Sequence, residues 1–142
     1  MTSCVDASFL VSLYVLDVNS AKASGKIKRA TLPLLLTDIG KIEILNVIGL
    51  RLLRKELRPA QAKEAYGLFR QDAQSGVVQI VPLPAAAYDR AEQIARSRIP
   101  RLGTRTLGVL HVAAALALKA DGFYTLDQKQ AALAAAVGLH LP

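Results

Sequence analysis

The segment LGTRTLGVLHVAAALALKADGFYTLDQKQAALAAAVGL, residues 102–139, carries the local signals that decide the fold. Its apolar spacing predicts a helix over 105–119, a buried strand over 122–126 and a helix over 128–137. An acidic residue, Asp127, stands where the strand ends. A strand enclosed between two helices favours an α/β fold with a parallel sheet and right-handed crossovers.

The rest of the chain continues this alternation of strands and helices, without internal repeats or low-complexity linkers. Short apolar runs predict strands over 2–5, 32–37 and 77–83. The predicted helices are one that runs to about residue 16 and others over 19–30, 38–57, 60–75 and 85–98. A loop with Pro100 and Gly103 is predicted between 98 and 105, and LHL at 139–141 is a candidate edge strand. The pattern predicts a single α/β domain spanning residues 1–142.

The composition limits the class of protein. A chain of 142 residues with 52% hydrophobic residues is too apolar for disorder and long enough to bury one core. The apolar stretch 7–16 is too short to cross a bilayer, and no basic residue precedes it. We therefore expect neither a membrane span nor a signal peptide, and a cytoplasmic location. The single cysteine, Cys4, excludes an internal disulfide and is expected to be buried in the first strand.

The charge balance suggests a polyanionic partner. The formal net charge is +7 and the pI is about 9.9, a balance that is common among nucleic-acid binders. A simply basic surface is the alternative. Two clusters stand out among the positive residues, one of Arg96, Arg98, Arg101 and Arg105 and the other of Lys22, Lys26, Lys28 and Arg29. Because aromatic residues make up only 5% of the chain, phosphate contacts are favoured over base stacking.

Acidic residues stand near the ends of predicted strands. Asp6 follows the first strand, Asp127 follows the last, and Glu43 lies on the apolar side of the helix over 38–57, with Asn46 one turn later. The carboxyl ends of parallel strands form the binding crevice of open α/β sheets. Three carboxylates at that edge predict a divalent-metal site, in which Asn46 would orient Glu43 or a bound water.

Each acidic residue also has a structural interpretation. Asp6 and Asp127 could each cap the helix that follows, and Asp127 fits a capping box with Gln130. Capping and metal binding are compatible, because a capping carboxylate keeps free lone pairs. Glu43 could lie at the edge of its apolar face and reach solvent.

Other chemistries find little support. His111 and His140 with one cysteine do not make a zinc site, and His111 is expected to be a core histidine. Ser8 lacks the context of a nucleophilic serine, and no glycine-rich phosphate loop is present. A phosphatase with Asp6 as nucleophile would require a second carboxylate where Ser8 stands.

The combination of motifs resembles the PIN-domain ribonucleases, specifically the VapC-like toxins of bacterial type II toxin–antitoxin pairs. The resemblance rests on VDAS at 5–8, EILN at 43–46 and the whole segment 102–139. It implies a three-layer α/β/α sandwich with a mainly parallel sheet, and an acidic cluster that binds Mg²⁺ or Mn²⁺. It further implies hydrolysis of RNA phosphodiester bonds, a homodimer and a cognate antitoxin protein.

The same resemblance assigns roles to individual residues. The catalytic and metal-binding residues would be Asp6, Glu43 and Asp127. The polar residues that support the metal or its waters would be Ser8, Asn46 and Thr125. The residues that hold the RNA backbone would be Arg105, with Arg101 and Arg98 nearby.

One position departs from the family pattern R-T/S-L-D-x-L-H. This chain reads RTLGVLH over 105–111, so Gly108 stands where an aspartate is usual. A glycine inside a helix costs about 1 kcal/mol relative to alanine, so helix stability does not explain it. Three carboxylates hold a cation more weakly than four, which predicts a ribonuclease attenuated or inactivated at Gly108. The alternative is a non-catalytic module that keeps the fold and binds RNA, an antitoxin or both.

Overall fold

Four short strands form one parallel sheet in a computed structural model that describes all of residues 1–142. The strands are β1 (Ser3–Val5), β2 (Leu34–Thr37), β3 (Val78–Val81) and β4 (Gly122–Tyr124). Their order across the sheet is β3-β2-β1-β4, so β1 and β4 are neighbours although they lie at opposite ends of the sequence. The predicted parallel sheet is confirmed.

Eight helices connect and cover the strands. They are α1 (Ala7–Tyr14), α2 (Ser20–Ile27), α3 (Asp38–Leu53), α4 (Pro59–Ser75), α5 (Ala86–Ser97), α6 (Ile99–Leu102), α7 (Thr106–Ala117) and α8 (Gln128–Ala136). None of them is long and apolar enough to cross a membrane.

The predicted loop between 98 and 105 instead contains the short helix α6. Pro100 is tolerated there because it stands in the first turn, where a backbone N–H has no helical partner. Gly103 ends the helix in the left-handed region, with φ of 68°. The candidate edge strand at 139–141 is reduced to one bridge between His140 and Gly122.

The helices form two layers, one on each face of the sheet. Successive strand residues point to opposite faces, and so Val5 packs with α1, α3 and α4 while Cys4 packs with α5, α7 and α8. Tyr124 and Phe123 of β4 divide in the same way. This is the α/β/α sandwich that the resemblance implied, and Cys4 is buried in β1 as expected.

Helical spacing predicts one face of the third helix that carries Ile39, Ile42, Asn46, Leu50, Leu53 and Leu57, and this prediction is partly wrong. α3 ends at Leu53 rather than at 57, and its buried side chains include Ile44 and Ile48. Ile42 and Leu53 are exposed instead, by 66% and 76%. The helix carries apolar residues on more than one face, so the spacing of apolar residues alone could not select the buried face.

Candidate active site at the carboxyl ends of the strands

The side chain of Asp6 lies at the centre of a hydrogen-bond network between β1 and β4. Its Oδ1 accepts from the Ser8 hydroxyl at 2.7 Å and from the Phe9 backbone N–H at 3.0 Å, and it thereby caps α1. Its Oδ2 accepts from the Thr125 hydroxyl. Asp6 is only 1% exposed, so every one of these donors matters for a carboxylate that has lost its hydration.

Thr125 and Ser8 also tie the two strand ends together. The Thr125 Oγ1 accepts from the Asp127 backbone N–H at 3.1 Å, and the Ser8 Oγ accepts from the Leu126 backbone N–H at 3.0 Å. Both hydroxyls therefore donate to Asp6 while accepting from the loop after β4. The order of the strands makes this possible, because β1 and β4 are adjacent and parallel.

Burial raises the pKa of Asp6 from 3.8 to about 6, although the hydrogen bonds from Thr125, Ser8 and Phe9 oppose the shift. Desolvation outweighs the three donors because the carboxylate has almost no contact with water. Asp6 is therefore ionised at neutral pH but takes up a proton in mildly acidic solution.

Glu43 is held by a histidine from the opposite helix layer. The His111 Nε2 donates to Glu43 Oε2 at 3.0 Å, so a side chain of α7 meets one of α3 across the carboxyl edge of the sheet. The His111 side chain is 3% exposed and that of Glu43 is 24% exposed. His111 is thus buried, as expected of a core histidine, but it also fixes the direction of Glu43.

Asp127 caps α8, as its position after β4 suggested. Its Oδ1 accepts from the Gln130 backbone N–H at 2.9 Å. The reciprocal half of the predicted capping box is absent, because the Asp127 N–H donates to Thr125 and not to the Gln130 side chain. The Nε2 of Gln130 instead has no hydrogen-bond partner, although it is buried.

A cavity of about 600 Å³ opens beside these residues. Its lining consists of Glu43, Thr104, Arg105, Thr106, Leu107, Gly108, Asp127, Lys129 and Gln130. Two carboxylates and two cationic side chains therefore share one space. Such a mixture suits a phosphate that is held by positive charge beside groups that bind a cation.

The side chains of Thr104 and Gln130 lie close to the position that a Cβ atom of residue 108 would take. A Cβ atom at this position would stand 2.8 Å from Thr104 Cγ2 and 3.5 Å from Gln130 Oε1. The first distance is shorter than real side chains tolerate, so any larger residue at 108 requires Thr104 to move. Thr104 donates weakly to the Lys129 carbonyl at 3.4 Å, which favours its present rotamer.

Six of the residues singled out in the sequence do not line the cavity: Asp6, Ser8 and Thr125, which form the network described above, and Asn46, Arg98 and Arg101. Asn46 is exposed, makes no hydrogen bond to Glu43 and does not line the cavity. Arg98 directly precedes α6 and Arg101 lies within it, both exposed, whereas Arg105 lines the cavity. The second basic cluster lies on and just after α2, where Lys22, Lys26 and Arg29 border a smaller cavity of about 290 Å³.

The carboxylate oxygens at this edge of the sheet are of the chemical type that binds a hard divalent cation. Carboxylate oxygens are the ligands that Mg²⁺ and Mn²⁺ prefer, and Asp6, Glu43 and Asp127 each keep at least one lone pair free of the hydrogen bonds described above. As they stand, however, no three acidic, histidine or cysteine side chains lie close enough together to hold an ion. Binding a cation would require these side chains to converge.

The family model of the PIN domain matches residues 3–136 of this chain. The chain belongs to the PIN-domain family. Two solved structures are similar to this PIN domain in fold. The Mycobacterium tuberculosis VapC20 toxin, described as cleaving the sarcin–ricin loop, has a TM-score of 0.71 at 16% identity and covers 97% of this chain and 96% of its own. PAE2754 from Pyrobaculum aerophilum has a TM-score of 0.61 at 16% identity and covers 94% of this chain and 84% of its own.

No curated protein sequence matches this PIN domain. The identity to both solved structures is low, so they establish the fold and leave the chemistry to be argued from the residues.

Sequence reasoning missed six residues of the cavity or its support. They are five residues that line the cavity and the histidine that holds Glu43: Thr104, Thr106, Leu107, Lys129, Gln130 and His111. His111 carried a usable signal, because it lies three residues after Gly108 on the same helix face. Thr104 and Lys129 carried none, since their positions depend on how two distant segments pack.

Proposed function

We propose that this PIN domain is a divalent-metal-dependent endoribonuclease, the toxin component of a toxin–antitoxin pair, attenuated at Gly108. One observation carries the proposal: a member of this family keeps Asp6 directly after β1, and brings Glu43, Asp127, Arg105 and Lys129 to one cavity at the same edge of the sheet. Mixed charge of this kind is what hydrolysis of a polyanion needs.

We assign different roles to the cationic, acidic and hydrogen-bonding residues. Arg105 and Lys129 would hold the RNA backbone by phosphate contacts, which position RNA without reading its sequence. Asp6, Glu43 and Asp127 would hold the Mg²⁺ or Mn²⁺ ion. When bound, such an ion activates water and offsets negative charge on the phosphate. His111 keeps Glu43 directed at the cavity, and Thr125 and Ser8 keep Asp6 in place.

Two features favour a second candidate, a module that binds RNA or an antitoxin without chemistry. A Cβ atom at position 108 would stand 2.8 Å from the Thr104 methyl group, and no three acidic, histidine or cysteine side chains lie close enough together to hold an ion. Either function leaves Arg105 and Lys129 available for RNA.

Cleavage of a mixed RNA substrate separates the two candidates. The wild-type protein, its Asp6→Asn variant and a Gly108→Asp/Thr104→Ser variant would each be incubated with Mg²⁺ or Mn²⁺. We expect slow cleavage by the wild type, none by Asp6→Asn and fast cleavage by the double variant. Absence of cleavage by all three, with RNA still bound, would support the non-catalytic module.

The partners are tested separately. We propose a homodimer and a complex with a small antitoxin encoded beside this chain, and expect the two proteins to elute together after co-expression. Elution in two separate gel-filtration peaks would contradict the antitoxin.

A further inference from the structure

Helix α7 begins in the wall of the cavity with unpaired backbone N–H groups. Its first three residues, Thr106, Leu107 and Gly108, all line the cavity. None of their backbone N–H groups donates a hydrogen bond within the chain. The preceding residue, Arg105, does not cap the helix, and no acidic residue lies in the first turn. Free N–H groups and the helix dipole at such an end attract an anion.

Three other helices that begin at this edge of the sheet are capped by their own side chains. Asp6 caps α1, Thr37 caps α3 and Asp127 caps α8, each with an oxygen that accepts a backbone N–H. The family's aspartate at position 108 would place a negative charge in the first turn of α7. Gly108 leaves the start of α7 without a cap and without that compensating charge.

A second, independent observation is a buried donor without an acceptor in the same wall. Gln130 is 5% exposed and lines the cavity, and its amide nitrogen Nε2 has no partner. The amide is directed at the first turn of α7, because Oε1 and Cδ lie 3.5 Å and 3.8 Å from the point where a Cβ of Gly108 would stand.

The amide of Gln130 can turn its donor towards the cavity. The terminal torsion of a glutamine side chain is broad and roughly two-fold, so a half-turn exchanges the oxygen and the nitrogen in place. The N–H groups then face whatever is bound above Gly108. Because a buried donor without an acceptor lowers stability, an anion at this point would relieve a cost that the empty cavity leaves.

Two cationic side chains complete the surroundings, and neither takes part in an ion pair. Arg105 and Lys129 both line the cavity and are exposed. Their two positive charges balance the two negative charges of Glu43 and Asp127 in the same lining. With an aspartate at 108 the lining would be negative. With Gly108 its side chains carry no net charge, and the partial positive charge at the start of α7 favours an anion.

We propose that the start of α7, the Gln130 amide, Arg105 and Lys129 form a phosphate-binding site, at a position where the family usually has a carboxylate. Backbone N–H groups, side-chain amides and cationic side chains are the usual donors to phosphate. That the phosphate belongs to RNA rests on the proposed function. The site itself needs neither a metal ion nor catalysis, and it serves both candidate functions.

Nuclear magnetic resonance of the isotope-labelled protein tests the site directly, in EDTA so that no metal contributes. Titration with inorganic phosphate should shift the backbone amide signals of Thr106, Leu107 and Gly108, and the side-chain NH₂ signal of Gln130. No shift of these signals at millimolar phosphate would overturn the proposal.

Two variants measure what the donors contribute. Gln130→Met keeps the length of the side chain but removes its donor, and should weaken phosphate binding about tenfold. Gly108→Asp/Thr104→Ser puts a carboxylate at the start of α7 and should weaken it by at least about tenfold. Circular dichroism establishes that each variant is folded.

Each variant has a matched control. Gln128→Met changes the same residue type in the same helix, at a position that is exposed and does not line the cavity. Gly67→Asp adds the same charge as Gly108→Asp at an exposed position of α4 with open space around it. Both controls should bind phosphate almost as the wild type does.

Short oligoribonucleotides identify the source of the phosphate. Binding of a fluorescent oligoribonucleotide would be measured in EDTA, with and without a phosphate at its 5′ end, and inorganic phosphate should displace it. Loss of affinity without the 5′-phosphate would identify the end of the RNA as the ligand, and equal affinity would identify an internal phosphodiester. RNA binding that phosphate does not displace would overturn RNA as the source.

The remaining outcomes separate this inference from the proposed function. Equal weakening by Gly108→Asp/Thr104→Ser and Gly67→Asp would show an effect of overall charge and overturn the site. Unchanged phosphate affinity in Gln130→Met would overturn the part assigned to Gln130. Phosphate binding by a wild type that cleaves no RNA with Mn²⁺ would support the site and contradict the ribonuclease.

Discussion

Two buried polar side chains at the same edge of the sheet differ in whether their polar atoms have hydrogen-bond partners. Asp6 is 1% exposed and accepts hydrogen bonds from Ser8, Phe9 and Thr125. Gln130 is 5% exposed, and its Nε2 has no partner. Both carboxylate oxygens of Asp6 have hydrogen-bond donors within the chain, whereas the amide nitrogen of Gln130 has no acceptor. The region of β1 and β4 satisfies its buried polar groups within the chain, whereas the region of Gly108 and Gln130 leaves one buried donor without a partner.

The largest expected effect comes from filling the region of Gly108 and Gln130. Gly108→Asp/Thr104→Ser should raise the rate of RNA cleavage about a thousandfold, since a restored metal ligand is worth several kcal/mol of transition-state stabilisation. Gly108→Asp alone should gain far less, because its Cβ would stand 2.8 Å from Thr104 Cγ2. Single-turnover rates and melting temperatures of both variants test this. Equal rates in the two variants would show that Thr104 moves freely.

The second effect concerns the charge of Asp6 in the region of β1 and β4. Its pKa is about 6 in the folded chain against an ordinary 3.8, so the folded state holds this proton more tightly than the unfolded state. The resulting stability is full below about pH 4 and is lost as the pH rises through about 6. Asp6→Asn, which carries no charge, should therefore be more stable than the metal-free wild type near pH 7 by about 3 kcal/mol.

Urea unfolding at several pH values checks this expectation. The difference between Asp6→Asn and the wild type should shrink to almost nothing near pH 4. A difference that stays constant with pH would mean that the hydrogen bonds, and not the charge of Asp6, control its contribution.

A pair of threonines sharpens the comparison further. Thr125 and Thr104 are equally buried, at 7% exposed, but Thr125 bonds to Asp6 and to the Asp127 N–H, while Thr104 makes one weak bond of 3.4 Å. Thr125→Val should lower the free energy of unfolding by about 1–3 kcal/mol. Thr104→Val should change it by less than about 0.5 kcal/mol. Similar losses would remove the distinction between the two regions.

Substitution of Gln130 should have a modest effect, and it should stabilise the fold. Gln130→Met should raise the free energy of unfolding by about 1 kcal/mol, because it removes a buried amide that has no partner. Chemical denaturation without metal measures this change. A loss of stability would indicate that the Gln130 amide has a role in folding after all.

The order of elements followed from the sequence because it depends on local signals, whereas the three-layer sandwich was implied by the resemblance to PIN domains. Hydrophobic runs marked the strands, and Asp6 and Asp127 marked where two of them end. The buried face of α3 was misjudged because Ile42 and Leu53 are as apolar as the residues that face the core. Apolar periodicity fails when a helix has more than one apolar face.

The details of the site depend on pairs that are far apart in sequence. Glu43 and His111 are separated by 68 positions, and Gln130 lies beside Gly108 although the two belong to different helices. A motif gives the type of residue and its approximate place, but it does not show which atom meets which. The absence of a partner for Gln130 is a property of the packed chain and has no local signal.

The methyl group of Thr104 also has a genetic consequence. If the carboxylate at position 108 was lost in an ancestor, a single mutation of Gly108 back to aspartate would return a side chain to a space that Thr104 now fills. Recovery would take two substitutions, and the first alone would bring little gain. Thr104 therefore disfavours reversion of Gly108 to aspartate, and a population of such genes would revert more slowly than the loss of one acidic residue suggests.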